Sequence, residues 1–218
     1  MPRVADHHAR RRQVAEAVER LIAEDGLDGV TVARTAAAAG ISVGLVQHYF
    51  SSKDDMLLHT FTAVRNRIEQ RVLVDAQSAD DAGARIEQIL LAALADMLPF
   101  DDVRRRECRV VLAFTGRAVD NPSLADALRA SNAHLRALLA QAIHNGKECG
   151  EVPGATAEHA EAARVFAHLD GLILYSYVDP ETMPLELAKA ALADHLHRLF
   201  PGPCRQSRRR KNAIANPA

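Results

Sequence analysis

Between Thr31 and Lys53 the chain places a dense set of residues able to hydrogen-bond the edges of bases and the oxygens of phosphates. The carboxamide of Gln47 matches the paired donor and acceptor of adenine, and the imidazole of His48 donates to guanine or to a phosphate. Gly44 removes a side chain where a helix backbone must come close to a partner, and Val43 lies beside it on the same face. The Tyr49 phenol and the Lys53 ammonium suit phosphate oxygens. Thr31 adds a hydroxyl beside the free N–H groups of a helix start, and Arg34 is a third candidate phosphate donor. The chemistry is recognition of double-stranded DNA. The alternative for Gln47 and His48 is a merely solvated face; for Thr31 and Ser42 it is helix capping alone.

These residues need elements that hold them outward. Thr31 opens one short helix, Gly40-Ile41-Ser42 breaks the chain, and Val43 to Phe50 forms a second helix capped by Ser42. Helices of about two turns are marginal alone. This pair therefore requires packing, with Val46 and Phe50 turned inward to join Ile22, Val32 and Leu57. The spacing predicts a helix-turn-helix whose second helix fits a major groove.

Helical periodicity runs through the rest of the chain. Arg10 to Glu24 carries Val14, Val18, Leu21 and Ile22 at helical spacing, and Asp25-Gly26 ends it. Lys53-Asp54-Asp55 begins a long helix, Asp80-Asp81 the next as far as Pro99, and Asp101-Asp102 another to about Val119. A helix after Asp120-Asn121-Pro122-Ser123 ends near Asn145-Gly146; Thr156–Val178 and Pro184–Leu199 complete the set. The expected fold is all-α: a three-helix DNA-binding domain over residues 1–53 and a six-helix body over 54–200, with a basic, disordered tail over 201–218.

Composition agrees, at 48% hydrophobic and 25% charged residues with scarce β-branched runs. Net charge is −1, but it is unevenly placed: residues 1–53 carry seven Lys/Arg against six Asp/Glu, residues 54–204 fifteen against twenty-two, and residues 205–218 five against none. No apolar run approaches the roughly 18 residues of a membrane span, and no apolar leader precedes the first helix, so a cytoplasmic protein without a membrane partner is expected. Cys108, Cys149 and Cys204 are odd in number and widely spaced, and read as reduced thiols rather than a disulfide framework or a metal site. There is no phosphate loop, nucleophile elbow or HExxH, and His195 and His197 point to different sides of a helix. No enzymatic activity, metal or cofactor is expected.

The run Gly40-Ile41-Ser42-Val43-Gly44-Leu45-Val46-Gln47-His48-Tyr49-Phe50-Ser51-Ser52-Lys53-Asp54-Asp55-Met56-Leu57 resembles the helix-turn-helix of the TetR family of bacterial transcriptional regulators almost slot for slot. Leu112-Ala113-Phe114 through Asp120-Asn121-Pro122, and Leu169-Asp170-Gly171-Leu172, are similar to the C-terminal domain of its BetI-like, choline-responsive branch. The resemblance implies phosphate contact at Thr31, Arg34, Tyr49 and Lys53, and a body enclosing a small-molecule effector. Candidate pocket residues are Met97, Phe100, Cys108, Phe114, His134, His168 and Tyr175, with core packing as the alternative for each. Trp is absent and aromatics make up 4% of the chain, which does not favour the multi-ring cage a quaternary ammonium needs.

So small a reading head calls for two copies on a palindromic operator. The last two helices carry apolar faces suited to a four-helix interface between copies, with Leu169, Leu172, Leu192, Leu196 and Leu199 as expected contacts. The combined expectation is a ligand-responsive transcriptional repressor acting as a homodimer. An activator, or a helical protein-interaction module, is the alternative.

Overall fold

The computed structural model describes residues 2–81 and 83–204, with side chains from His7 onward except Asp81. The tail from Arg205 lies outside the described residues. Among those described, the chain is entirely helical: α1 (Pro2–Asp25), a 3-10 turn at Leu27–Gly29, α2 (Val32–Ala39), α3 (Val43–Tyr49), α4 (Lys53–Asp81), α5 (Ile86–Ala95), α6 (Asp102–Val119), α7 (Pro122–Cys149), α8 (Glu158–Val178) and α9 (Leu185–Leu199). None is long and apolar enough to cross a membrane.

Local sequence sets most boundaries. The Asp101 carboxylate accepts the Arg104 N–H at 2.8 Å to start α6, and the Asn121 side chain accepts from Ser123 and Leu124 to start α7. Several boundaries differ from the sequence reading: α1 starts at Pro2 rather than Arg10, and α5 ends at Ala95 rather than near Pro99. Asp80 and Asp81 close α4 instead of opening α5, which starts at Ile86, where the distant Glu151 carboxylate receives the free N–H groups. Helix α7 continues through Gly146 to Cys149, and Gly150 (φ 88°) follows in the left-handed conformation. Gly146 serves close packing: a Cβ there would lie 2.7 Å from Phe200 and from Val152.

The chain packs as two compact units. The first, over the described residues, comprises 2–69 and 101–131. It thus reaches beyond the division expected at Lys53, because the aromatic rings of Phe61 and Phe114 stack at 3.9 Å in its core. Val14, Val18, Ile22, Val46, Phe50 and Leu57 are buried in this unit, whereas Val32 is only half-buried.

The second unit, over the described residues, comprises 70–81, 83–100 and 132–204, with α9 packed on α5 and α8. Leu169, Leu172, Leu192 and Leu196, expected between two copies of the chain, are instead buried within it, and Leu199 is half-buried. A stripe of leucines on adjacent helices first serves the chain's own core. The exposed apolar side chains on α8 and α9 are Leu174, Tyr175, Val178 and Leu187. Residues 201–204, counted with the tail from sequence, pack here: the Gly202 N–H donates to the Glu151 carbonyl at 2.9 Å.

Candidate nucleic-acid interface

Helices α2 and α3 are built from caps at both ends of a tight turn. The Thr31 hydroxyl accepts the Arg34 N–H at 3.2 Å, and the Ser42 hydroxyl accepts the Leu45 N–H at 3.2 Å. Between them Gly40 takes φ 66°, which lets the Gly40 and Ile41 N–H groups turn back onto the Ala37 and Ala36 carbonyls. Thr31 and Ser42 are therefore caps whatever else they touch.

Val46 is the buried knob of α3, and Phe50 follows it into the core. Val43, Gly44, Gln47 and His48 are all exposed, as the sequence reading expected of a base-facing set. A Cβ placed on Gly44 would meet nothing within 4 Å. An exposed helical glycine costs roughly 1 kcal/mol relative to alanine. Folding gains nothing from this glycine, whereas close approach of another surface to the α3 backbone does.

The phosphate candidates surround this face. Thr31 and Arg34 are exposed, and the Arg34 guanidinium is paired with Asp25. Tyr49 is half-buried, its ring edge-on to His48 at 5.1 Å and to His7 at 4.8 Å. The Lys53 ammonium donates to the Leu27 carbonyl at 2.7 Å, which holds its stem in place while two of its three donors stay available.

Sequence reasoning missed the residues that hold the motif. Gln13 donates to the Ala39 carbonyl and Arg20 to the Ala38 carbonyl, both at 2.7 Å, so α1 closes the C-terminal end of α2. Arg11 does the same for α3: it donates to the Tyr49 carbonyl at 3.2 Å while its guanidinium lies 4.5 Å over the Phe50 ring. At the start of α4, Asp54 receives two bonds of 3.0 Å from Arg117 and one of 2.8 Å from Asn121. The Arg117 guanidinium holds the Asp54 carboxyl below its ordinary range. Gln13 and Arg20 are seven residues apart, hence on one helix face, which was the available signal; their partners depend on tertiary packing.

The candidate effector residues divide differently. Cys108 and Phe114 belong to the first unit and are buried there, Phe114 against Phe61. That stacking makes Phe114 a core residue. In the second unit Met97 is buried, Phe100, His134 and Tyr175 are exposed, and the His168 ring stacks on His195 at 4.9 Å. A solvent-open groove of about 660 Å³ in the first unit is lined by charged residues including Glu16, Glu19, Arg67 and Arg106, and by none of these candidates.

Comparison with known proteins agrees with this architecture. Residues 15–60 match the model described as bacterial regulatory proteins, tetR family, and residues 86–201 match that of the BetI-type transcriptional repressor, C-terminal. The chain is 29% identical over 210 residues to the HTH-type transcriptional regulator PksA of Bacillus subtilis, covering 96% of this chain and 99% of that protein. It is 30% identical over 207 residues to the HTH-type transcriptional regulator BetI of Burkholderia mallei, covering 92% and 98%. Among solved structures, a transcriptional regulator from Rhodococcus sp. Rha1 superposes with a TM-score of 0.75 at 30% identity, over 88% of this chain and 96% of that one. A regulator from Saccharomonospora viridis in complex with choline superposes with a TM-score of 0.77 at 22% identity, over 86% and 95%. Regulators of this kind bind DNA and are not enzymes. The chain belongs to the TetR family of bacterial transcriptional regulators, with a BetI-type C-terminal domain.

Proposed function

We propose that this regulator is a ligand-released repressor that binds a palindromic operator as a homodimer, acting in the cytoplasm where the chromosome lies. Val43, Gly44, Gln47 and His48 meet base edges, Thr31, Arg34, Tyr49 and Lys53 meet phosphates, and Ser42 fixes the start of α3. The observation that carries the reading is Gly44: exposed on α3, unneeded by the fold, and placed where a groove wall would approach.

Dimerisation is supported by Leu174, Tyr175, Val178 and Leu187, which leave apolar surface exposed on α8 and α9. The effector acts by preferring one conformation of the body, and so lowers operator affinity by its differential affinity for the two states. Six Phe, three Tyr and no Trp leave few rings for a cage, so composition does not favour a quaternary ammonium effector like the choline bound by the Saccharomonospora viridis regulator.

The phosphate roles are tested by titrating operator affinity against salt. The logarithm of the affinity falls steeply and linearly with the logarithm of salt concentration. Lys53→Ala, which removes one contact from each half-site, reduces the slope by about 2 per dimer. A flat wild-type slope, or one unchanged by the substitution, contradicts the assignment.

A further inference from the structure

The second unit brings together three side chains that lie outside the helix-turn-helix. Cys149 ends α7, Glu151 lies in the turn after it, and Cys204 arrives from beyond α9. One ligand atom from each falls within 4.8 Å of the others. We propose that Cys149, Glu151 and Cys204 form a binding site for one thiophilic divalent cation of the zinc type, held by two thiolates and one carboxylate oxygen.

The sulfur–carboxylate distance suits that chemistry. Tetrahedral zinc, with bonds of about 2.3 Å to sulfur and about 2.0 Å to oxygen, separates sulfur from oxygen by roughly 3.5 Å and the two sulfurs by roughly 3.8 Å. The Cys149 sulfur lies 3.5 Å from Glu151 Oε1, to which it donates. The metal takes the place of that thiol proton. Three protein ligands leave a fourth position for water at the Cys204 side, where that residue is 9% exposed.

The surroundings hold the ligands in place. Glu151 is fully buried, and its two oxygens accept the N–H groups of Ile86 and Glu87 at 3.1 and 3.2 Å. Each oxygen keeps a second lone pair. Arg85 donates to the Phe200 and Gly202 carbonyls at 3.1 and 2.7 Å, which fixes the segment leading to Cys204. That segment is pressed so closely onto the turn that a Cβ on Gly202 would lie 2.1 Å from the Gly150 carbonyl oxygen.

Charge balance also favours the exchange. Without metal, the Glu151 carboxylate faces the Arg85 guanidinium at 3.6 Å. On binding, two metal–sulfur bonds and one metal–oxygen bond form, and the two thiol protons leave to solvent. One divalent cation replaces two protons, so the net charge of the buried cluster does not change.

The test titrates the full-length protein with Cd2+, after reduction and under inert gas, following thiolate-to-cadmium charge transfer in the ultraviolet. The expected result is saturation at one Cd2+ per chain, reversed by competing Zn2+, with a native mass showing loss of two protons for each metal gained. Cys149→Ser and Cys204→Ser each abolish the band, and Cys108→Ser leaves it unchanged. Circular dichroism of the serine variants establishes that they are folded. The proposal is overturned if the reduced wild type shows no band at one equivalent, or if the band survives in Cys149→Ser or Cys204→Ser. It is equally overturned if the cysteines form only an air-oxidised disulfide and the reduced protein takes up no metal.

Discussion

Gly44→Leu does not lower the thermal stability of the protein and lowers operator affinity by at least about 100-fold. The two halves of this result have separate causes. Within the protein, a side chain at Gly44 extends into open space and strains nothing. Against DNA, the same side chain holds the α3 backbone away from the groove in both half-sites, which disrupts the Gln47 and His48 contacts together. Each good base contact is worth about 1–3 kcal/mol, so losing one per half-site costs roughly 30-fold or more, and losing both the Gln47 and the His48 contacts in each half-site well over 100-fold. Gly44→Ala separates the causes further: it stabilises α3 by up to about 1 kcal/mol while weakening operator binding. A Gly44→Ala protein that is more stable and binds DNA as well as the wild type would remove the functional reason for the glycine.

Glu151→Ala has the largest expected effect on folding, a loss of about 3–5 kcal/mol. Its carboxylate is fully buried, caps α5 by accepting from Ile86 and Glu87, and faces Arg85. Removing it leaves the part-buried N–H groups of Ile86 and Glu87 without their acceptor and takes away the carboxylate 3.6 Å from the Arg85 Nε, which makes no hydrogen bond of its own. For a chain of this size, that loss corresponds to a fall of about 10 °C or more in melting temperature. Glu151→Gln keeps one acceptor oxygen and recovers part of the loss. Denaturant unfolding measures both variants, and a cost under about 1 kcal/mol for Glu151→Ala would contradict the capping role.

The two predictions also mark where sequence was legible and where it was not. The helix-turn-helix depends on short-range chemistry: Thr31 and Ser42 cap within three residues, and Gly40 turns the chain by itself. Such features are written locally, so α2, α3 and their outward face follow from residues 31–53 alone. Periodicity likewise places the long helices, because an apolar stripe needs no knowledge of its partner. It does not say which partner the stripe meets. That is why Leu169, Leu172, Leu192 and Leu196 suggested a dimer interface and are in fact buried within the chain.

Long-range capping was equally hidden. Asp80-Asp81 resembles a helix start, yet the true start of α5 is received by Glu151, 65 residues from Ile86. The supports of the reading head share this character. Arg11, Gln13 and Arg20 act on carbonyls of α2 and α3, and Arg117 acts on Asp54 across 63 residues. Each is an ordinary charged or polar surface residue until packing brings its partner close. The meeting of Cys149 with Cys204 was invisible for the same reason.

The central claim is that α3 reads bases, two copies at a time. Selection of DNA from a random pool by the purified protein, repeated with Gln47→Ala, tests it most directly. The wild type should recover an inverted repeat with half-site centres one helical turn apart, about 10 base pairs, or a multiple of that spacing. The variant should lose the preference at one position in each half-site, symmetrically, while still binding the repeat. A single asymmetric site, or an identical selected sequence from the Gln47→Ala protein, would contradict the account.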